Sequence, residues 1–184
     1  MPTRGLVFFF FFFYKRKVGL INGGKYKLKL VLLFKNIKYL QTPELVYDPT
    51  RFFANEKLYL ATIGLNTRKF AEDKFLFNFG IIEDIPYGQV YAITGGFQEK
   101  NNIQRTYLGG RFAYGDYFSF GYFSTNVEWG SFFNNGCTEE TTFRIEGNYF
   151  TNLLNMGDWR LRQFVKPTLV IGNHRAPIIK DRLL

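Results

Sequence analysis

The side chains that could do chemistry in this sequence are few and far apart. The chain of 184 residues has one cysteine, Cys137, and one histidine, His174. A nucleophile needs a positioned base within hydrogen-bond reach, and no serine or acid stands at a fitting spacing from His174. A Ser/His/Asp triad, a disulfide framework and a Cys/His metal cluster are therefore disfavoured. We predict no enzyme activity, no metal and no cofactor, with Cys137 a free thiol in a turn and His174 a loop residue.

Two acids and several arginines are the other residues that could form a functional site. Glu128 and Glu146 could pair as carboxylates for acid/base work. Arg144, Arg160 and Arg162 fall on the same predicted face, so salt bridges across neighbouring strands explain the two acids better. If that face lined an open channel, the arginines would instead favour anions.

The basic character of the chain is concentrated near its start. The formal net charge is +9, from 24 basic and 15 acidic residues. Residues 1–46 hold nine of the basic residues and one acid, which leaves 15 basic and 14 acidic residues for the rest. Binding of single-stranded nucleic acid would place aromatic rings and cations together on one face. In this sequence the aromatic rings mostly fall on the face opposite the arginines. We therefore predict no nucleic-acid partner; a basic nucleic-acid binder that depends on residues 1–46 is a third alternative.

From about residue 52 onward, apolar and polar side chains alternate with a period of two, which is typical of β-strands. The pattern predicts seven strands joined as successive hairpins, over residues 57–70, 74–82, 89–99, 105–114, 118–131, 141–151 and 159–171. Turns are predicted at 72–73, 84–88, 115–116, 134–136 and 155–158. A change of parity near Tyr122 predicts a bulge there.

The length of these strands favours a membrane. They run about 10 to 14 residues, whereas strands of soluble proteins usually have about five or six and a membrane-crossing strand needs roughly 9 to 11. The predicted fold class is all-β, an antiparallel up-and-down meander of about seven long strands that forms part of a transmembrane β-barrel. The polar side chains that would line its lumen are Arg68, Arg111, Glu128, Arg144, Glu146, Arg160, Arg162 and Lys166. The apolar side chains that would contact lipid are Tyr59, Ile63, Phe75, Phe77, Phe79, Ile93, Phe143, Ile145, Leu161 and Val165.

A soluble protein is the alternative. A soluble antiparallel β-barrel or sandwich that binds an apolar ligand would use the same alternation. It requires the aromatic face to point inward and the arginine face to contact water.

The first 46 residues differ from the remainder. Six consecutive phenylalanines, Phe8 to Phe13, are too few for a membrane helix, and the stronger positive charge follows them, unlike in a secretory signal. We expect residues 1–46 to be an atypical segment that translation from a wrong start or frame would explain; a basic membrane-surface anchor is the alternative. Residues 47–175 would form the partial barrel, and residues 176–184 a truncated tail.

Closure of the barrel requires more strands than these seven. An edge left open in hydrocarbon exposes unpaired backbone groups, and bacterial membrane barrels have an even number of strands, at least eight. Residues Lys25 to Phe34 could form an eighth strand, but the lysines at 25, 27 and 29 resemble nothing in the other seven. We expect a fragment whose partners are outer-membrane lipid and either the missing remainder of the barrel or envelope assembly partners.

Several short segments between residues 52 and 182 suggest a family. They are Phe52-Phe53-Ala54-Asn55, Arg68-Lys69-Phe70, Ile82 to Gly88, Tyr107-Leu108-Gly109-Gly110, Trp159 to Phe164 and Asn173-His174-Arg175. As a set they resemble outer-membrane barrels of Bacteroidetes related to the surface-antigen (Omp85/BamA-like) superfamily. The Arg-Gly-Phe or Arg-Gly-Tyr tip of that superfamily does not occur here. The resemblance implies the outer membrane of a Gram-negative bacterium, and transport or outer-membrane protein assembly rather than catalysis.

Overall fold

The structure is a computed structural model that describes residues 6–21, 24–48, 51, 53–76 and 80–174. Within these residues the regular elements are β-strands, and no helix is present that could span a membrane. The strands are β1 (Leu6–Ile21), β2 (Gly24–Lys38), β3 (Glu56–Asn66), β4 (Lys69–Lys74), β5 (Ile82–Lys100), β6 (Ile103–Phe118), β7 (Gly121–Asn134), β8 (Cys137–Thr151), β9 (Leu154–Met156), β10 (Trp159–Leu161), β11 (Phe164–Val165) and β12 (Thr168–Asn173).

One large antiparallel sheet of ten strands contains most of these elements. Its main order is β1–β2–β3–β5–β6–β7–β8, and β11 and β12 both pair with the last of these strands. The short β4 pairs with the first part of β5, and β9 and β10 form a separate hairpin. The predicted all-β, up-and-down antiparallel class is confirmed. The transmembrane barrel stays a prediction.

The hairpin between β7 and β8 turns where the sequence predicts. Asn134 and Cys137 are Cα partners, and the two residues between them have φ angles of 48° for Asn135 and 83° for Gly136. Positive φ at both central residues is the requirement of a type I′ turn, whose twist matches that of paired strands. Cys137 is an exposed free thiol, but it begins β8 and does not lie in the turn as predicted.

The predicted turn at residues 84–88 is wrong, because these residues belong to the 19-residue strand β5. The first part of β5 pairs with β4 and the second part with β3. The change of partner occurs at Gly88, which has a φ of 121°. A Cβ at this position would lie 2.7 Å from the carbonyl oxygen of Thr67, so only glycine fits.

The predicted turn at Glu72-Asp73 and the strand predicted over 74–82 are also wrong. Both acids lie inside β4, because they pair with the first part of β5. The chain bends at Phe75 and Leu76 and turns again at Gly80. Phe77 and Phe79, two of the predicted lipid-contacting residues, lie outside the described residues.

The strand predicted over 118–131 is divided by a turn. Residues 119–120 connect β6 to β7, so this turn, and not a bulge near Tyr122, causes the change of parity. The register shift of β7 lies instead between Gly130 and Phe132. The predicted turn at 115–116 is wrong as well, since both residues lie within β6.

The strand predicted over 159–171 is wrong, because the structure divides it among β10, β11 and β12. Proline has no backbone N–H to donate to a strand pair, and Pro167 lies between β11 and β12. The Pro167 carbonyl nevertheless accepts a hydrogen bond from Gly147 N–H at 2.9 Å. β11 and β12 therefore both pair with the same edge of β8.

The stretch from Lys25 to Phe34 lies in β2. This strand pairs with β1 on one side and with β3 on the other, where the pairing extends from Lys27 to Ile37. The structure thus attaches part of residues 1–46 to the main sheet. The boundary of that segment, and of the tail after residue 175, stays a prediction.

The main sheet has two chemically different faces. Directly paired residues share a face, so the register can be followed from strand to strand. One row contains Thr62, Thr94, Gly109, Gly130 and Thr142, and we call its side the polar face. The adjacent row contains Ile63, Ile93, Gly110, Trp129 and Phe143, and we call its side the apolar face.

Substitution of two neighbouring glycines of β5 can test how closely β5 approaches β3. A Cβ on Gly96 would contact the backbone carbonyl of Tyr59, whereas a Cβ on Gly95 would meet nothing within 4 Å. We expect Gly96→Ala to lower the free energy of unfolding by about 1–3 kcal/mol and Gly95→Ala to change it by less than about 0.5 kcal/mol. Urea unfolding followed by circular dichroism measures both. Equal stability of the two variants would contradict this register.

Candidate functional site

The apolar face is exposed over most of its length. Ile63 is 58% and Ile93 67% exposed. Other large exposed side chains on this face are Tyr59, Tyr91, Phe97, Leu108, Trp129, Ile145, Leu169 and Ile171. Soluble monomers rarely expose so large a contiguous apolar surface. Within the described residues, no second layer covers it.

Aromatic rings lie in two rows across the apolar face. Tyr59 stands between Phe34 and Phe97, with ring centroids 4.8 and 4.9 Å away. Tyr91 and Phe112 form a second contact at 5.2 Å. Tyr91 and Phe97 are six residues apart on one strand, so the two rows are about 20 Å apart. Membrane barrels carry an apolar band of about 25 Å between two aromatic girdles.

The predicted lipid-contacting residues divide between two regions. Tyr59, Ile63, Ile93, Phe143 and Ile145 lie on the apolar face of the main sheet. Val165 pairs with Tyr149 of β8 and so shares that face. Phe75 and Leu161 do not, because the first lies in the bend after β4 and the second in the β9–β10 hairpin.

The polar face carries two neighbouring groups of ion pairs, which together we call the central network. Arg111 Nε lies 3.3 Å from Glu128 Oε1 and donates a hydrogen bond to Asn126 at 2.9 Å. On the neighbouring strand, Arg144 donates to Glu146 at 2.8 Å, and Lys166 Nζ lies 3.3 Å from the other oxygen of this carboxylate. Each acid therefore serves as an ion-pair partner, as the sequence favours over acid/base work.

A second polar cluster lies at one end of the polar face, and sequence reasoning missed it. Arg105 contacts Glu139 at 3.1 Å and Gln98 at 2.6 Å. Gln98 in turn donates to Glu56, which pairs with Lys35 at 3.0 Å. Arg105 and Gln98 are Cα partners. The signal that could have revealed the cluster was the hairpin register around residues 101–102.

The opposite end of the polar face is covered by a hairpin, which we call the folded hairpin: β4 and the first part of β5. Tyr122 of the main sheet donates a hydrogen bond to the Pro86 carbonyl at 2.8 Å. Ile85 and Leu76 are buried in one cluster with Tyr122 and Phe150. The Tyr122 and Phe150 rings stack, with centroids 4.8 Å apart. Most of the buried apolar side chains of the described residues thus lie beneath the folded hairpin.

Arg162 fastens the folded hairpin to the rest of the chain. Its side chain is only 6% exposed and donates two hydrogen bonds of 3.1 Å to the two oxygens of Asp73. The guanidinium also lies over the ring of Phe150, 5.1 Å from its centroid. The sequence predicts Arg162 as an open lumen residue, but the structure buries it because an acid 89 positions away pairs with it.

The remaining predicted lumen residues lie in separate places. Arg160 is in β10 and lies over the ring of Phe75 at 4.7 Å, away from the central network. Arg68 follows β3 and lines, together with Arg111, a recess of ≈ 230 Å³. The central network thus contains Arg111 and Glu128 in one group and Arg144, Glu146 and Lys166 in the other.

The described residues contain no group of three or more His, Cys, Asp or Glu side chains that could hold a metal ion. His174 follows β12, and its backbone N–H donates to the Asn173 side chain at 2.9 Å. Cys137 is at the start of β8. What the arrangement offers is a charged, hydrogen-bonded polar face backed by an apolar one.

These features define a class: an antiparallel all-β sheet protein with an ion-paired polar face and an exposed apolar face. No protein-family model, curated protein or solved structure matches this chain. The resemblance to the surface-antigen superfamily therefore stays a prediction.

The pair that fastens the folded hairpin should be energetically important. Removing one partner of a buried ion pair leaves an uncompensated charge, so we expect Asp73→Asn to lower the free energy of unfolding by about 3 kcal/mol. Glu99 pairs with Lys57 at 3.2 Å on the surface. The matched control Glu99→Gln should therefore cost less than about 1 kcal/mol. Urea unfolding measures the free energy of unfolding of both variants. If Asp73→Asn and Glu99→Gln lower it equally, Arg162 does not hold the folded hairpin.

Proposed function

We propose that this sheet is part of a transmembrane β-barrel in the outer membrane of a Gram-negative bacterium. The observation that carries the proposal is the exposure of the apolar face opposite an ion-paired polar face. In water, the exposed apolar area would cost roughly 25 cal/mol per Å². Contact with lipid removes this cost, while the polar face remains hydrated on the inside of the barrel.

Strand length supports the same proposal. The strands β6, β7 and β8 have 16, 14 and 15 residues, more than the roughly 9–11 that a tilted strand needs to cross a bilayer. Meander connectivity by short turns is also the connectivity of membrane barrels. With strands tilted by about 35–45°, the two aromatic rows would be about 15 Å apart in membrane depth, within the apolar band of about 25 Å.

Closure of the barrel requires partners at both sides of the sheet. Within the described residues, β1 pairs only with β2, and β12 pairs only with β8. Unpaired edge groups in hydrocarbon cost several kcal/mol each. The proposal therefore includes further strands, from the remainder of the barrel or from an envelope assembly partner.

The activity that suits this arrangement is transport or outer-membrane protein assembly, without catalysis. The polar face offers paired charges and a water-accessible surface, and the resemblance to surface-antigen barrels points to the same activities. A soluble barrel or sandwich that binds an apolar ligand would instead need its apolar face enclosed. The exposure of Ile63 and Ile93 speaks against this alternative.

Two adjacent positions of β5 distinguish lipid from water on the apolar face. Ile93 lies on the apolar face and Ala92 on the polar face. In lipid vesicles, we expect Ile93→Lys to lower the free energy of unfolding by about 2–4 kcal/mol, the cost of a lysine at the bilayer midplane. The control Ala92→Lys should change it by less than about 1 kcal/mol, since its ammonium group stays in water.

Unfolding by guanidinium, followed by tryptophan fluorescence in the vesicles, measures both values. A wild-type protein that stays soluble without detergent and an Ile93→Lys variant of undiminished stability would together contradict the proposal. That result would favour the soluble alternative.

A further inference from the structure

Nine of the cations on or beside the polar face fall into two groups. Those of the first group contact an acid: Lys35, Arg105, Arg111, Arg144, Arg162 and Lys166. Lys27, Lys29 and Arg68 form the second group. In the part of the chain that the structure describes, no acid lies within ion-pair distance of these three.

The two lysines of the second group have lysines as their Cα partners in β1. Lys27 and Lys29 of β2 are the Cα partners of Lys17 and Lys15 of β1. Like charges at directly opposite positions destabilise a sheet. The first acid in the sequence is Glu44, so neither strand can supply a counter-charge. On the other side of β2, the partners of Lys27 and Lys29 are Asn66 and Gly64, which are uncharged.

Lys35 provides the contrast on the same strand and the same face. Its ammonium group lies 3.0 Å from Glu56 of β3. The chain therefore neutralises a lysine at one end of β2 and leaves two lysines without an acid toward the other end. A counter-ion from outside the described chain would satisfy them.

Small residues separate Lys29 from a second cation on the polar face. One row of the polar face runs from Lys29 through Gly64 and Ala92 to Arg111. This row crosses three strand spacings, so its two cations are about 14 Å apart. Glycine and alanine leave room between them. Arg68 and Arg111, but neither of the two lysines, line the recess of ≈ 230 Å³.

We propose that Lys27, Lys29 and Arg68 bind a multiply charged oxyanion, a solute that carries phosphate groups. The inference rests on the proposed function, because it requires the polar face to be hydrated inside a barrel. Ammonium and guanidinium groups form strong charge-assisted hydrogen bonds to phosphate oxygens.

The test uses the full chain in detergent micelles and inorganic tripolyphosphate as the probe, with calorimetric titration at low salt. We expect the double variant Lys27→Gln/Lys29→Gln to bind about tenfold more weakly, because two exposed ion pairs are lost. The matched control is Lys57→Gln, on the neighbouring strand and the other face; its affinity should stay within about twofold of the wild type. Without the probe, the double variant should unfold at the same or a higher temperature than the wild type.

Equal affinity of the double variant and the wild type would overturn the inference, and so would an equal loss in Lys57→Gln. Phosphatidylglycerol added to the micelles distinguishes a lipid headgroup from a solute. If the double substitution weakens binding of this lipid and leaves tripolyphosphate binding unchanged, the solute assignment is wrong. Insertion into vesicles is measured separately: failure of the anion site leaves wild-type insertion intact, whereas absence of insertion rejects the proposed barrel.

Discussion

The separation of the two faces depends on one constraint, the unbroken register of paired strands from β2 to β8. A shift of a single residue in any strand would move its apolar side chains to the polar face. The rows through Thr62 and Ile63 cross the strands without such a shift, and the irregularity in β7 lies near its end, after Gly130. Ion pairs and aromatic contacts on the two faces each reinforce this register.

The folded hairpin departs from a simple meander, as does the separate β9–β10 hairpin. Gly88 lets β5 leave the main sheet, and Arg162 then fastens the hairpin through Asp73. The result is a small apolar core beneath the hairpin, while the opposite end of the polar face keeps a cluster of charges around Arg105. The two ends of the polar face thus differ in both charge and accessibility.

Alternation in the sequence predicted the class, the antiparallel meander and the face of residues such as Ile93 and Phe143, because a period of two is a local signal. Local signals also gave wrong predictions where distant contacts decide the structure. Asp84 to Gly88 has the composition of a turn, yet the pairing of β4 draws these residues into a strand. Arg162 looked like a lumen residue because its partner Asp73 is 89 positions away. Burial that depends on such distant contacts leaves no periodic trace in the sequence.

The central claim is that the apolar face contacts hydrocarbon, and Trp129 on that face reports on it directly. With Trp159→Phe, Trp129 is the only tryptophan of the chain. Its fluorescence in vesicles can be titrated with lipids brominated on their acyl chains and, separately, with aqueous acrylamide. The account predicts strong quenching by the brominated lipids and weak quenching by acrylamide. Quenching by acrylamide alone, or by neither reagent, would place Trp129 in water or in a protein interior and contradict the account.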